Sequence, residues 1–133
     1  MNSIINLNGK KGVILGIANE KSIAWGIAEN LRKFGADLAF SFVNESIKKR
    51  VIPLAGKCDS DLVFECDACS DKSIDNFFKE IEKKWGTFDF LVHSIAFSDK
   101  NELKGDYVNT TRSNFLNTLD VSCYSFTALC QRA

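Results

Sequence analysis

Short segments rich in apolar residues alternate along this chain with longer segments in which apolar residues recur every three or four positions. The short segments cover residues 12–17, 38–43, 61–66 and 88–95. Apolar runs of this length are typical of strands that are buried on both faces of a sheet. Since each is followed by a segment with helical spacing, the pattern predicts four strand–helix units with a parallel sheet and right-handed crossovers.

Each predicted helix has an apolar face, and several have recognisable ends. Ser22 is the predicted cap of the first helix and Gly35 its stop, while Ser70 or Asp71 caps the third. Pro53 is expected to kink or restart the second helix, because proline lacks a backbone donor and clashes with the preceding turn. The apolar faces comprise Ile23, Ile27, Leu31 and Phe34; Ile47, Val51, Leu54 and Ala55; Ile74, Phe77, Phe78, Ile81 and Trp85; and Phe115, Leu119, Cys123, Phe126 and Cys130.

The last predicted helix, residues 112–133, is apolar on more than one side. One side is expected to pack on the sheet and the other to need a second cover, because a helix that is hydrophobic all round is normally buried. Its two cysteines, Cys123 and Cys130, are expected to pack in the core. The second apolar side comprises Leu116, Val121, Tyr124, Ala128 and Leu129.

These elements predict an α/β fold, a Rossmann-like doubly wound parallel sheet with strand order 3-2-1-4. The complete order is commonly 3-2-1-4-5-6, so only about the first four strand–helix units are represented. The sequence stops within the last predicted helix, without a capping or stop residue. We therefore expect residues 1–133 to be the N-terminal part of a single larger domain, with the fourth strand at an unpaired edge.

Composition and charge narrow the classes of partner. The 133 residues are 45% hydrophobic and 26% charged, which is typical of a globular protein. The 17 basic residues balance the 17 acidic ones, so the sequence predicts no nucleic-acid partner. The basic run at residues 48–50 is expected to be a solvated helix face. No stretch reaches the roughly 18 apolar residues of a membrane span, so no membrane association is predicted.

The N-terminus and the cysteines indicate the compartment. Residues 1–8 have neither the charged start nor the apolar stretch of a signal peptide. Five cysteines, an odd number, fit a reducing compartment better than a disulfide framework. The sequence therefore predicts a cytoplasmic protein.

Two cysteines and the histidine have chemical and structural interpretations. Cys66 and Cys69 have the spacing of a dithiol redox motif, with zinc as a further alternative. Packing is favoured, because Cys66 closes a predicted buried strand and no second ligand pair has zinc-site spacing. His93 ends an apolar strand and is expected to be a hydrogen-bonded structural residue rather than a general base.

The turn after the first strand, residues 16–24, is where a dinucleotide pyrophosphate would meet backbone N–H groups and a helix dipole. The glycine-rich G-x-G-x-x-G fingerprint is absent. Gly16 can make a tight turn, Ser22 can offer a hydroxyl and an N–H, and Ala24 allows close helix packing. A plain strand-to-helix loop with a serine cap explains the turn equally well.

The residues of this turn match a pattern that continues along the chain. The matching segments are residues 16–18, 22–28, 38–42, 66–68, 93–97, 105–108 and 122–126. In order and spacing they resemble the bacterial enoyl-acyl-carrier-protein reductases, a divergent short-chain dehydrogenase/reductase family in which serine and alanine replace the later glycines. The sequence His-Ser-Ile-Ala-Phe at residues 93–97 stands where ordinary short-chain dehydrogenases carry Asn-Asn-Ala-Gly.

The resemblance implies an NADH site at the carboxyl ends of the strands. It implies that the Asp67 carboxylate accepts a hydrogen bond from the exocyclic amine of adenine. A helix-capping role for Asp67 is an alternative, and the two roles are compatible. The implied contact residues are Gly16, Ser22 and Ile23 at the pyrophosphate and adjacent ribose, Asp67 and Ala68 at the adenine, and Ser94, Ile95 and Ala96 near the nicotinamide.

One position departs from the family pattern. The family's NADH enzymes often have glutamine where Val43 closes the second strand, and valine cannot hydrogen-bond the adenosine ribose. Asn44 or Glu45 could provide the hydrogen bond to the ribose instead. NADH is still expected over NADPH, because a 2′-phosphate needs a nearby cation and Glu45 repels phosphate. Lys48 is the cation that could reach back to such a 2′-phosphate.

The resemblance also implies a reaction and partners. The family transfers hydride from NADH to a trans-2-enoyl thioester on acyl carrier protein in type II fatty-acid synthesis, as a homotetramer whose interface includes the last helix. Its catalytic tyrosine and lysine follow the fifth strand, and neither Tyr107 nor Tyr124 has a lysine at that spacing, so no catalytic residue is assigned. Ser122 corresponds to an asparagine of many short-chain dehydrogenases. The alternatives are another short-chain dehydrogenase/reductase acting on a hydroxyl or ketone, and a non-catalytic dinucleotide-binding fragment.

Overall fold

A four-stranded parallel sheet forms the centre of the computed structural model, which describes residues 5–133. The strands are β1 (Lys11–Leu15), β2 (Asp37–Phe42), β3 (Val63–Glu65) and β4 (Phe90–His93), in the order β3-β2-β1-β4. All three pairings are parallel. The predicted fold class and strand order are confirmed. The predicted absence of a signal peptide in residues 1–8 rests partly on residues 1–4, which lie outside the described residues.

Helices cover both faces of the sheet. They are α1 (Ile23–Lys33), α2 (Glu45–Lys57), α3 (Asp71–Trp85), α4 (Arg112–Leu119) and α5 (Ser125–Cys130), with short 3₁₀ turns at Lys100–Glu102 and Tyr107–Asn109. Alternate residues of β1 face opposite sides. Ile14 packs with α1 and α2, whereas Val13 and Leu15 pack with α3 and α5.

Helix ends follow the predicted signals at several places. Gly35 has φ +99°, and the N–H groups of Gly35 and Ala36 donate to the carbonyls of Arg32 and Leu31, which closes the end of α1. The Ser70 hydroxyl accepts from the Ser73 N–H at 3.3 Å and caps α3. These contacts are local in sequence, which is why sequence patterns predict them.

The predicted apolar face of α1 is wrong in its first half. Ile23 is 78% exposed and Ile27 is also exposed, while Ala24, Trp25 and Ala28 are buried. Two neighbouring stripes of this helix have the same spacing, and the stripe with two alanines packs on the sheet because small side chains allow a close approach.

A restart of the helix at Pro53, one of the two predicted outcomes, is wrong, since α2 is continuous. Proline removes the hydrogen bond that residue 53 would donate to the carbonyl of Lys49. Both residues lie on the exposed side of the helix, where solvent can satisfy that carbonyl. The opposite face keeps its core contacts through Val51, Leu54 and Ala55.

Residues 112–130 do not form the single regular helix that was predicted. A π-helical segment, Asp120–Tyr124, joins α4 to α5. Its wider turn rotates α5 relative to α4, so apolar periodicity does not carry across it. Ser125, Ala128 and Leu129 are the buried residues of α5. The predicted core positions of the two cysteines are therefore wrong, and both are exposed, as are Phe115, Leu116, Leu119, Tyr124 and Phe126.

None of the helices in residues 5–133 combines the length and the apolar character that crossing a membrane would require.

Candidate functional site

A cavity of about 470 Å³ opens at the carboxyl edge of the sheet. Ligands of doubly wound folds bind outside this edge, where the strand order reverses. The segments that follow β1, β2, β3 and β4 form most of the wall, and α4 and the π-helical segment add to it. The lining residues are Gly16, Ile17, Ala18, Ser41, Phe42, Val43, Asn44, Ile47, Cys66, Asp67, Ala68, Cys69, Ser94, Ile95, Ala96, Phe97, Asn117 and Val121.

Six of the eight residues predicted to contact a cofactor line this one cavity. They come from three separate strand ends and comprise Gly16, Asp67, Ala68, Ser94, Ile95 and Ala96. Ser22 and Ile23 are not in its wall, and Ile23 is largely exposed. The fold therefore brings together most of the predicted site.

Gly16 is required where β1 passes the end of β4. Its φ of +106° strains any other residue, and a Cβ built there would collide with the Ser94 carbonyl oxygen. The two strands are joined at this point by a hydrogen bond from the Ser94 N–H to the Leu15 carbonyl at 3.0 Å. Glycine thus lets the first turn and the end of β4 share one wall of the cavity.

The Ser22 side chain stabilises the turn before α1 rather than the helix itself. Its oxygen accepts from the N–H groups of Ala18 and Asn19, at 2.9 and 3.1 Å. The Ser22 N–H donates to the Asn19 carbonyl. Ser22 is the N-cap residue of α1, as predicted, but no capping bond runs from its side chain to the helix. The Ser22 hydroxyl donates no hydrogen bond within the described residues, so its proton can be donated to a ligand.

Asp67 lies in the turn between β3 and α3. Its Oδ1 accepts from the Cys69 N–H at 2.9 Å, and its own N–H donates to the Ser73 hydroxyl at 2.8 Å. The second carboxylate oxygen makes no hydrogen bond within the described residues. One oxygen therefore has the structural role that the sequence suggested, and the other is free for a ligand.

The two cysteines beside Asp67 are poorly suited to thiol chemistry. Burial raises the pKa of Cys66 to about 12. Burial, followed by the charge of Asp120, raises the pKa of Cys69 to about 11. The thiolate is the nucleophile and the ligand, and both groups are protonated at neutral pH. No group of three potential metal ligands occurs among residues 5–133.

Two serines hold the end of β4. The Ser122 hydroxyl, in the π-helical segment, accepts from the Phe97 N–H at 3.0 Å and lies 3.2 Å from the Phe97 carbonyl, to which it can donate. Ser125 donates to the Val121 carbonyl at 2.6 Å, so its oxygen accepts from His93 Nε2 at 2.8 Å. Burial lowers the pKa of His93. This geometry supports a structural role for the histidine.

The end of β2 offers few free polar groups. Val43 lines the cavity with an apolar side chain, and the Asn44 amide oxygen accepts from the Ile47 N–H at 3.0 Å. Lys48 lies 3.3 Å from Glu45 and 5.2 Å from the centre of the Phe42 ring. Asn44 and Glu45, the candidate substitutes for the ribose contact, are therefore each engaged in the fold through one oxygen.

Sequence reasoning missed several residues of the wall. Ser41 and Asn117 are the polar ones. Strand alternation could have placed Ser41 on the same face as Ala39. Asn117 carried no usable signal, because the orientation of α4 depends on the loop before it and on the π-helical segment after it.

Comparison with known proteins places these features in a family. Residues 16–133 match the family model described as "Enoyl-(Acyl carrier protein) reductase". The "Enoyl-[acyl-carrier-protein] reductase [NADH] 2" of Rhizobium meliloti (strain 1021) is 51% identical over 127 residues, which are 96% of this chain and 47% of the relative.

Solved structures agree with the fold. The crystal structure of FabI from Candidatus Liberibacter asiaticus has a TM-score of 0.95 and 55% identity, covering 98% of this chain and 51% of that one. The enoyl-(acyl-carrier-protein) reductase of Anaplasma phagocytophilum in complex with NAD has a TM-score of 0.93 and 49% identity, covering 100% and 51%. This chain spans about half the length of the curated relatives it matches. It belongs to the enoyl-(acyl carrier protein) reductase family.

Proposed function

We propose that this chain is the cofactor-binding part of an NADH-dependent enoyl-acyl-carrier-protein reductase. The observation that carries the proposal is the cavity, whose wall unites six predicted residues from three strand ends. The matched relatives include proteins named as NADH enzymes and one structure in complex with NAD. Family membership favours this reaction over reduction of a ketone or oxidation of a hydroxyl.

The residues of the cavity fit a dinucleotide. Gly16 leaves room beside the end of β4, the free oxygen of Asp67 suits the amine of adenine, and the apolar walls at Ile17 and Ile95 suit flat rings. NADH supplies the hydride for the β-carbon of the enoyl thioester. We assign no proton donor within these 133 residues.

The remaining parts of the proposal concern the whole protein. It takes a trans-2-enoyl group on acyl carrier protein, works in the cytoplasm and assembles as a homotetramer. Residues 1–133 are the N-terminal part of its single dinucleotide-binding domain. Support comes from family membership and from the exposed apolar residues of α4 and α5.

The test is a titration of the chain with NADH and with its hypoxanthine analogue, in which a carbonyl replaces the amine of adenine. We expect saturable binding of NADH and weaker binding of the analogue. Asp67→Asn should reduce this preference, because an amide presents a donor as well as an acceptor. Asp61→Asn, an exposed position at the other end of β3, is the matched control. Absence of saturable NADH binding would contradict the proposal.

A further inference from the structure

Ser41, in β2, is a buried polar residue whose hydroxyl has no partner among the described residues. The residue is 6% exposed, and its hydroxyl makes no hydrogen bond within residues 5–133. Every fully enclosed side-chain oxygen or nitrogen in the described part of the chain has a partner. The Ser41 oxygen must therefore reach open space, and that space is the cavity, whose wall includes Ser41.

Ser125 shows how this fold treats a structural serine. It is fully buried, and its hydroxyl both accepts from His93 and donates to the Val121 carbonyl. A buried hydroxyl without such partners costs free energy. Alanine at position 41 would therefore suit the fold at least as well as serine. The unpaired hydroxyl points to a ligand.

The position of Ser41 indicates which part of a dinucleotide it would meet. Ser41 shares a face of β2 with Ala39, which packs with Cys66 and Ile74 on the α3 side of the sheet. The turn that holds Asp67 follows Cys66 on this side. In doubly wound folds the end of the second strand faces the adenosine half of the cofactor.

We propose that the Ser41 hydroxyl donates a hydrogen bond to a ring nitrogen of the adenine of the cofactor, an inference that rests on the proposed function. An ionised carboxylate only accepts hydrogen bonds, so Asp67 suits the amine of the purine. The ring nitrogens are acceptors and need a donor. Ser41 supplies one from the floor of the cavity, where Val43 has none to offer. Ser41 and Asp67 together thus distinguish adenine from other bases.

The test compares three ligands by isothermal titration of the full chain: NADH, ADP-ribose, which holds the adenosine half, and reduced nicotinamide mononucleotide, which lacks it. We expect Ser41→Ala to weaken NADH and ADP-ribose by about threefold to tenfold. Binding of the mononucleotide should not change. Ser41→Thr keeps a hydroxyl and should bind NADH like the original chain.

Thermal melting without ligand gives the second readout. Ser41→Ala should melt no lower than the original chain, whereas the matched variant Ser125→Ala should melt lower because it breaks two hydrogen bonds. An equal loss of melting temperature in both variants would overturn the inference by revealing a structural hydroxyl. So would unchanged affinity of Ser41→Ala for NADH and ADP-ribose, or equal weakening of the mononucleotide. If the original chain binds no NADH, the proposed function fails and this inference with it.

Discussion

Several side chains in the cavity wall, and Ser22 in the turn beside it, serve the fold with some of their polar atoms and leave the others free. Ser22 holds the first turn through its oxygen, and Asp67 holds the turn before α3 through one carboxylate oxygen. Asn44 caps α2 with its amide oxygen. Lining the cavity therefore does not by itself make a residue a ligand, because only the atoms left unpaired can bind one.

Glu45 and Lys48 lead to a prediction about the choice between NADH and NADPH. Lys48 is held by Glu45 and by the ring of Phe42, so its charge is not free for a 2′-phosphate. Glu45→Gln should raise the affinity for NADPH by about twofold to fivefold, the range of an exposed ion pair, and leave NADH unchanged. Titration with both cofactors measures this.

A double variant separates release of Lys48 from loss of repulsion by Glu45. If Lys48 binds the phosphate, Glu45→Gln combined with Lys48→Met should lose the gain. A gain that persists in the double variant would show that repulsion alone disfavours NADPH in the original chain.

His93, the single histidine of the sequence, leads to a prediction about pH. Burial lowers its pKa, so the unfolded chain binds a proton more readily than the folded one. The stability that depends on neutral His93 is complete above its ordinary pKa of 6.5 and is lost as pH falls through the lower pKa of the folded state. His93→Gln keeps a donor for Ser125 and should lose less stability between pH 6.5 and about 5. If the urea midpoints of the original chain and of His93→Gln fell by the same amount across this range, His93 would not be the source of the pH dependence.

At the scale of elements, the junction between α4 and α5 organises one side of the cavity. The π-helical segment carries Ser122, which holds the backbone of Phe97, and it precedes Ser125, which holds His93. Such segments are rare and are frequent at functional sites.

Pro53 leads to a prediction about α2. It lies on the exposed face of a continuous helix and removes one helical hydrogen bond. Pro53→Ala should raise the free energy of unfolding by about 1 to 3 kcal/mol, measured by urea denaturation. Gly56→Ala, in the same helix and with open space around the new Cβ, should give a smaller gain of about 1 kcal/mol. A less stable Pro53→Ala variant would show that proline suits this position.

At the scale of the whole molecule, one side of the chain exposes several large apolar residues. Phe115, Leu116, Leu119, Tyr124 and Phe126 are all exposed along α4, the π-helical segment and α5. Within residues 5–133, β4 pairs only with β1, so its other edge is open. Exposed apolar faces and open edges both promote association.

We therefore predict that the 133-residue chain self-associates at micromolar concentration. Light scattering should show species larger than a monomer, and Phe115→Glu combined with Phe126→Glu should shift them toward a monomer. Ile23→Glu, at an exposed position of α1, is the control for added charge. A cooperatively folding monomer with no larger species would contradict the prediction.

We also predict that this chain alone does not reduce enoyl thioesters. Proton donation by a positioned side chain contributes about 10²- to 10⁴-fold to such reactions. The two tyrosines of the sequence, Tyr107 and Tyr124, are exposed and lie outside the cavity wall. Oxidation of NADH with crotonyl thioester should not exceed a control without protein. Turnover above that control would reveal a proton donor within these residues.

The sequence by itself determined the fold class, the strand order and the location of the candidate site, with six of the residues that line it. Apolar runs, helical spacing and glycine stops are local signals that predict the strands and helices. Because the carboxyl ends of parallel strands lie at one edge of the sheet, these elements also predict where the site lies. Gly16, Asp67 and Ser94 could therefore be assigned to one site from the sequence, and all three line the same cavity. The motif at residues 93–97 indicated the family, because it is specific within short-chain dehydrogenases.

Only the tertiary structure decided which of two equally spaced stripes of α1 is buried, how far the π-helical segment rotates α5, and which hydroxyls are free. Ile23 and Ala24 differ in burial because of what the sheet accommodates, not because of their spacing. Ser41 and Ser125 are both buried serines, and one is unpaired because only the other meets a histidine 32 residues away. Such outcomes depend on contacts between distant segments, which local patterns do not encode.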